Sequence, residues 1–189
     1  MKIAVDINMT ILTCDSLIYK IANNYFPGHC KSTSTYTTVK DNNITREKLI
    51  NKISKAHNYR CYRTLENSTE ILSKWIKEGN HITLLSTGSA NDEIKSCLLR
   101  CIKKFGICFS DIVLKCTNKA IYCNDNGIEI MIDNSPFICK KCKEKNITSI
   151  CYIPNKKRAD KLKKEGLLVA TSWDEIERMV KKIITNKNR

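Results

Sequence analysis

Four short polar clusters carry the chemistry open to this 189-residue sequence. Asp6, Asn8 and Thr10 follow the apolar run KIAV, and Ser86, Thr87, Gly88 and Ser89 follow HITLL. Asp133, Asn134 and Ser135 follow IEIMI, and Lys119 opens a helical stretch between the last two runs. Two carboxylates, a hydroxyl with backbone N–H groups beside it and one ammonium are the set that Mg²⁺-assisted phosphoryl transfer needs. Mg²⁺ is held by one or two carboxylates together with phosphate and water, and the charge that develops on phosphorus calls for cations and hydrogen-bond donors.

For these clusters to meet, the apolar runs must be strands of one sheet, because ligands of open α/β sheets collect at the carboxyl ends of the strands. Strand 2–7 is a short apolar run that ends abruptly in a carboxylate. From residue 65 onward the pattern is regular: helix 68–78, strand 81–86, helix 91–105, strand 111–114, helix 118–126, strand 128–132, helix 135–145, strand 148–153, a further helix, strand 167–170 and helix 172–184. Alternation of this kind predicts an α/β fold, a Rossmann-like parallel sheet with helices on both faces. Residues 14–64 break it, with helical stretches near 15–25 and 45–59 around a Ser/Thr/Asn-rich segment. The expectation is a core of 1–13 and 65–189 and a small helical cap, 14–64, inserted after the first strand.

Composition narrows the class further. With 42% hydrophobic residues the chain can bury a sizeable core without staples, and no apolar run approaches the roughly 20 residues of a membrane span. No signal-peptide pattern opens the sequence, since Asp6 interrupts the first apolar run, so a cytoplasmic setting is expected. The eleven cysteines are odd in number and read as thiols. Cys139 and Cys142 have metal-ligand spacing, but no second pair accompanies them, and two small residues one helical turn apart is the simpler reading. The formal charge is +14. Residues 139–189 carry fifteen Lys and Arg against six Asp and Glu, net +9, which leaves +5 for the first 138. Such a face can bind nucleic acid or gather anionic small molecules. Because no aromatic residue interleaves with NKKRADKLKKEG, a solvated helix is the preferred reading there.

At these residues the sequence resembles the haloacid dehalogenase-like superfamily of aspartyl-nucleophile phosphatases. VDINMTI matches its first motif, ITLLSTGS its second, Lys119 its third and IEIMIDNSP its fourth, in order and over nearly the whole chain. More narrowly, ANNYF, the Lys119, Cys123, Gly127-Ile128 and Met131-to-Pro136 arrangement, and SWDEI resemble the bacterial 5′-nucleotidase branch related to cytosolic 5′(3′)-deoxyribonucleotidases. The resemblance implies that Asp6 is the nucleophile and forms an aspartyl phosphate. It implies that Asp6, the backbone carbonyl of Asn8 and Asp133 hold Mg²⁺, and that Thr87, Gly88 and Lys119 bind the phosphoryl oxygens. The substrate implied is a small phosphorylated molecule, a nucleoside monophosphate above all. Phe26 and His57 are the expected substrate contacts in the cap, where Tyr25, Tyr36, Tyr59 and Tyr62 could also stack on a base.

Three positions depart from the family pattern. Asn8 stands where the phosphatases have the Asp that protonates the leaving group and activates water, and an amide can do neither; loss of such a group lowers rates by about 10²–10⁴-fold. Asn134 removes an acidic neighbour of the metal site, and Ser89 replaces an Arg frequent in related nucleotidases. Two other readings stand beside the phosphatase. One is a catalytically impaired phosphate- or nucleotide-binding regulator, favoured by Asn8, and the other is a nucleic-acid end phosphatase or binder, favoured by the charge alone.

Overall fold

The computed structural model describes residues 1–13, 62–87 and 92–187. Eight strands and six helices alternate through them. They are β1 (Lys2–Asp6), β2 (Leu12–Thr13), β3 (Arg63–Thr64), α1 (Ser68–Lys77), β4 (His81–Ser86), α2 (Asp92–Lys104) and β5 (Asp111–Leu114). There follow α3 (Lys119–Asp125), β6 (Ile130–Asp133), α4 (Pro136–Glu144), β7 (Thr148–Tyr152), α5 (Lys156–Lys164), β8 (Leu168–Ala170) and α6 (Trp173–Lys187).

Six strands form one parallel sheet in the order β5-β4-β1-β6-β7-β8. Strand order reverses at β1, where the chain steps first to β4 and β5 and then crosses back to β6; this is the switch point at which α/β sheets place ligands. The central strands β1, β4, β6 and β7 are buried on both faces, which is why they read as apolar runs instead of alternating ones. Ile3, Val5, Ile82, Leu84, Ile130 and Ile132 pack with α1, α2 and α6 on one face. Ala4, Leu85 and Met131 pack with α3 and with Cys142 of α4 on the other, and Cys139, Cys151, Ala159, Leu162 and Val169 extend that second face to α5. Trp75 of α1 and Trp173 of α6 meet with ring centroids 6.1 Å apart and planes tilted by 47°, an arrangement worth about 0.5–1.5 kcal/mol beyond area burial.

The expected sheet is therefore the observed one, with two differences of detail. Strand 128–132 begins later, at Ile130, because Gly127 takes a left-handed φ of 64° and the Ile128 N–H bonds back to the Cys123 carbonyl. Ile128 thus closes α3, and the Glu129 N–H already donates to the Lys2 carbonyl of β1 at 2.9 Å before the strand starts. The second difference is a two-stranded ladder that hydropathy does not announce: β2 pairs antiparallel with β3, Leu12 opposite Thr64 and Thr13 opposite Arg63. The two ends of the excursion are tied together at the carboxyl end of β1. The cap expected at 14–64 lies, apart from its last residues, outside the described residues, and so do Phe26 and His57. Tyr62, expected among aromatics free to meet a base, is instead buried in the main core with Leu12 and Ile11.

Cys139 and Cys142 both face inward from α4 and are fully buried. Among the described residues no three His, Cys, Asp or Glu side chains gather as a metal cluster, and none of the helices is long and apolar enough to cross a membrane.

Candidate active site

Strand alternation decides which way the carboxylates point. Asp6 stands two residues after Ala4, and Asp133 two after Met131, so each shares a face with a residue that packs against α3. Val5 is in register with Ile132, which puts Asp6 and Asp133 level on neighbouring strands. Lys119 is the first residue of α3, which is started by Asn118, whose side chain accepts the Ile121 N–H at 3.1 Å. Its side chain is 2% exposed and reaches both acids: Nζ donates to Asp6 Oδ1 and, at 2.7 Å, to Asp133 Oδ2. Two oxygens on one nitrogen lie within about 6 Å of each other, twice a hydrogen-bond length.

The remaining oxygens of the two acids are also held. Asp6 Oδ2 accepts the Thr10 hydroxyl at 2.9 Å, and Asp133 Oδ1 accepts the Ser135 N–H at 2.8 Å. Thr10 can reach back four residues because the chain turns sharply after β1. Ile11 and Leu12 N–H groups both donate to the Ile7 carbonyl, Met9 N–H donates to Leu12 O at 2.7 Å, and Met9 sits at a left-handed φ of 64°. A non-glycine residue there costs about 1 kcal/mol, which the three bonds offset. The bonds that flank Asn8 use the carbonyl of Ile7 and the amide of Met9. They leave the Asn8 carbonyl outside the turn's own pairing.

Charge at this centre is unbalanced, since one ammonium serves two carboxylates. Burial, and then the charge of Asp133, push the Asp6 carboxyl up to about 7 against the pull of Lys119 and Thr10. Burial would lower Lys119, but Asp6 and Asp133 outweigh it and hold the ammonium above the usual lysine range. The donor set fits a hard divalent cation: two convergent carboxylates and a backbone carbonyl, with the rest of the coordination left to phosphate and water, is the habit of Mg²⁺. A second positive charge here also answers the excess negative charge.

The Asn8 side chain is directed at β4, its Nδ2 lying 3.5 Å from Ser86 Oγ. Ser86 is the last residue of β4 and is buried, whereas Thr87, the hydroxyl expected from the sequence, is exposed. Gly88 and Ser89 lie outside the described residues. Ser86 could have been singled out as the last position of the apolar run, the one a strand still holds in place. Thr10 stands in the first polar cluster of the sequence, and its spacing, a hydroxyl four residues past a strand-end carboxylate, is the signal for its bond to Asp6.

No protein-family model and no curated protein matches the chain. Solved structures do. A predicted phosphatase from Clostridium acetobutylicum superposes with a TM-score of 0.70 at 17% identity, covering 96% of this chain and 98% of that one. The chain has the haloacid dehalogenase-like fold. A Had-superfamily hydrolase from Ehrlichia chaffeensis matches with a TM-score of 0.58 at 11% identity over 97% of both chains. A Thermotoga maritima protein, provisionally described as a beta-phosphoglucomutase, matches with 0.65 at 12% identity over 96% of this chain and 99% of its own. At such identities the likeness concerns the haloacid dehalogenase-like fold alone. None of these three is described as a nucleotidase.

Proposed function

We infer that the chain is a phosphomonoester hydrolase that works through an aspartyl phosphate on Asp6. The observation that carries this reading is the buried Lys119 bridge between Asp6 and Asp133 at the switch point of the sheet. Three charged groups held below the surface, with the acids matched to only one cation, make a poor structural device. Replacing such a cluster by apolar residues is commonly neutral or stabilising, so its presence here is better explained by chemistry.

In the first step an Asp6 carboxylate oxygen attacks phosphorus, and the bond from phosphorus to the leaving oxygen breaks. Lys119 lies where its ammonium can follow the phosphoryl oxygens, and the Ser86 hydroxyl is the donor best placed on the β4 side. Thr10 holds the Asp6 carboxylate in one orientation. Asp6, Asp133 and the Asn8 carbonyl would hold a divalent cation such as Mg²⁺, which when bound would supply positive charge against the phosphoryl oxygens. In the second step water attacks phosphorus, the bond to Asp6 breaks and phosphate leaves. Asn8 can hydrogen-bond to the leaving oxygen or to the water but can neither give nor take the proton, so both transfers fall to solvent and the second step is slow.

The finer parts of this reading rest on the sequence. A nucleoside monophosphate is the substrate that the 5′-nucleotidase-like motifs favour, with Phe26 and His57 as its contacts and Thr87 and Gly88, through their backbone N–H groups, as further phosphate donors. A specific observation supports a second reading: the Asn8 amide is turned toward Ser86, which suits a protein that binds a phosphate without hydrolysing it. A panel of phosphomonoesters, assayed with and without Mg²⁺ on the wild type and on Asp6→Asn, separates the two. Mg²⁺-dependent release of phosphate that Asp6→Asn abolishes supports the enzyme. Phosphate-ester binding with no release supports the second reading.

A further inference from the structure

We propose that the outer face of α4 and α5 binds single-stranded nucleic acid. This goes beyond phosphomonoester hydrolysis and does not depend on it. Charge is the first observation. Residues 136–165, which span the two helices, carry ten Lys and Arg against three Asp and Glu, net +7. Residues 1–13 and 62–135 carry ten of each and are neutral. Residues 166–187 add four Lys and Arg against three Asp and Glu, net +1, so among the described residues the charge is concentrated on this face.

The two helices present the charge as one surface. Lys140 of α4 pairs with Glu165 at the end of α5 at 2.9 Å, and Lys143 Nζ donates to the Gly166 carbonyl at 3.0 Å. Glu144 is likewise taken by Lys141, at 2.8 Å. With two of its three acids so engaged, the face is left with Lys156, Lys157, Arg158, Lys161 and Lys164 of α5, all exposed. Only Ala159 and Leu162 of that helix turn inward.

The second observation is Phe137. It lies in the first turn of α4 and is 65% exposed, the most open of the large hydrophobic residues among those described. Lys141, one turn further on, holds its ammonium 5.9 Å from the ring centroid. An exposed aromatic ring beside a lysine, on a helix joined to a basic one, is a combination that holds single strands: cations follow the phosphodiesters while a base stacks on the ring. An anionic membrane would also attract the charge. It would require an apolar face to insert, and α5 keeps both of its apolar residues in the core. Phe137 and Lys156 each follow a strand end at the catalytic side of the sheet, so a bound strand would pass beside Asp133.

The test is fluorescence anisotropy with a fluorescein-labelled thymidine 20-mer that has no terminal phosphomonoester, so that the hydrolytic site cannot account for binding. The wild type is expected to bind at 50 mM salt and to weaken by about tenfold or more at 200 mM. Lys157→Glu/Arg158→Glu/Lys161→Glu should weaken binding at least tenfold and reduce the log–log salt slope by about 2, at roughly 0.7 per phosphate contact. Phe137→Ala should weaken it by about fivefold or more with the slope unchanged. A charge-matched variant on the opposite helices, Lys77→Glu/Lys103→Glu/Lys182→Glu, should stay within about threefold of wild type. The proposal is overturned if the 20-mer does not bind at 50 mM salt, or if the charge-matched variant loses as much as the α5 variant. It is equally overturned if phosphatidylserine vesicles bind and the 20-mer does not.

Discussion

The indole N–H of Trp173 donates to the backbone carbonyl of Thr10 at 2.8 Å, across 163 residues of sequence. Thr10 in turn donates its hydroxyl to Asp6, so the first residue of the last helix holds the loop that orients the proposed nucleophile. Trp173→Phe keeps most of the packing and leaves that buried carbonyl without its donor, which should cost about 1–3 kcal/mol. Urea denaturation reads the loss. Turnover should fall several-fold as well, whereas Trp75→Phe, on the far side of the tryptophan pair, should lower stability alone. Equal turnover in the two variants would sever Trp173 from the site.

Removing the bridge between the acids should be the most damaging single change. In Lys119→Met two buried carboxylates face each other without a cation, and the expected loss at pH 7 in metal-free buffer is about 3–5 kcal/mol. Added Mg²⁺ should restore part of it, as a shift in thermal midpoint that Asp133→Asn does not show. A Lys119→Met protein as stable as wild type would mean that the ammonium is not paired as described.

Position 8 separates the two chemical steps. An activated aryl phosphate needs little help from an acid in leaving, so the wild type should release about one equivalent of phenolate in a burst and then turn over slowly. Asn8→Asp supplies a base for the water and should raise the steady rate by at least about tenfold. If the rate does not change and the wild type is already brisk, another residue moves the protons.

The two hydroxyls at the end of β4 can be told apart. Loss of a donor aimed at a developing oxyanion typically costs about 10²–10³ in kcat, and Ser86→Ala should fall at least tenfold. Thr87→Ala, which truncates an exposed side chain, should stay within threefold. The opposite order would return the role to Thr87.

Glu175 gives a pH signature away from the site. Its carboxylate accepts the Thr171 N–H at 2.6 Å and the Thr171 hydroxyl at 3.0 Å, while Ser172 Oγ accepts the Glu175 N–H at 3.2 Å, closing the start of α6. The Thr171 N–H holds its carboxyl below the ordinary glutamate range. A depressed folded-state pKa stabilises the native state above the unfolded value and loses that contribution as pH falls. Glu175→Gln should therefore be less stable than wild type by about 0.3–1 kcal/mol at pH 7, with the gap closing below about pH 4. A gap that persists at pH 3 would assign the effect to packing.

Much of this was legible because strands buried on both faces are written as uninterrupted apolar runs, and the polar residue that ends each run marks the carboxyl edge. Asp6 and Asp133 are recoverable in that way, and Asn8 with them, whereas Lys119 is found by its place at the start of a helix and by the resemblance. Run length, however, does not say where pairing begins, so Ile128 reads as strand although it completes the end of α3. Hydropathy is equally silent on ladders of two residues, such as Leu12–Thr13 with Arg63–Thr64. Tyr62 carries an aromatic ring that composition alone allots to a cap as readily as to a core. The choice between Ser86 and Thr87 turns on which of two adjacent hydroxyls the strand still confines, a matter of one residue.

The β2–β3 ladder has a consequence for how this kind of chain can change. Thr13 and Arg63 are paired neighbours and Tyr62 is buried in the core, so the 48 residues from 14 to 61 leave and return through one gate. Closure entropy grows only logarithmically with length, by about 0.6 kcal/mol for each doubling. The excursion could be halved, doubled or exchanged for another without altering the sheet's register or the distance from Asp6 to Asp133. The strands that carry Asp6 and Asp133 and the excursion between β2 and β3 are thereby separately editable, one set of residues inherited with the sheet and the other free to be replaced as a unit.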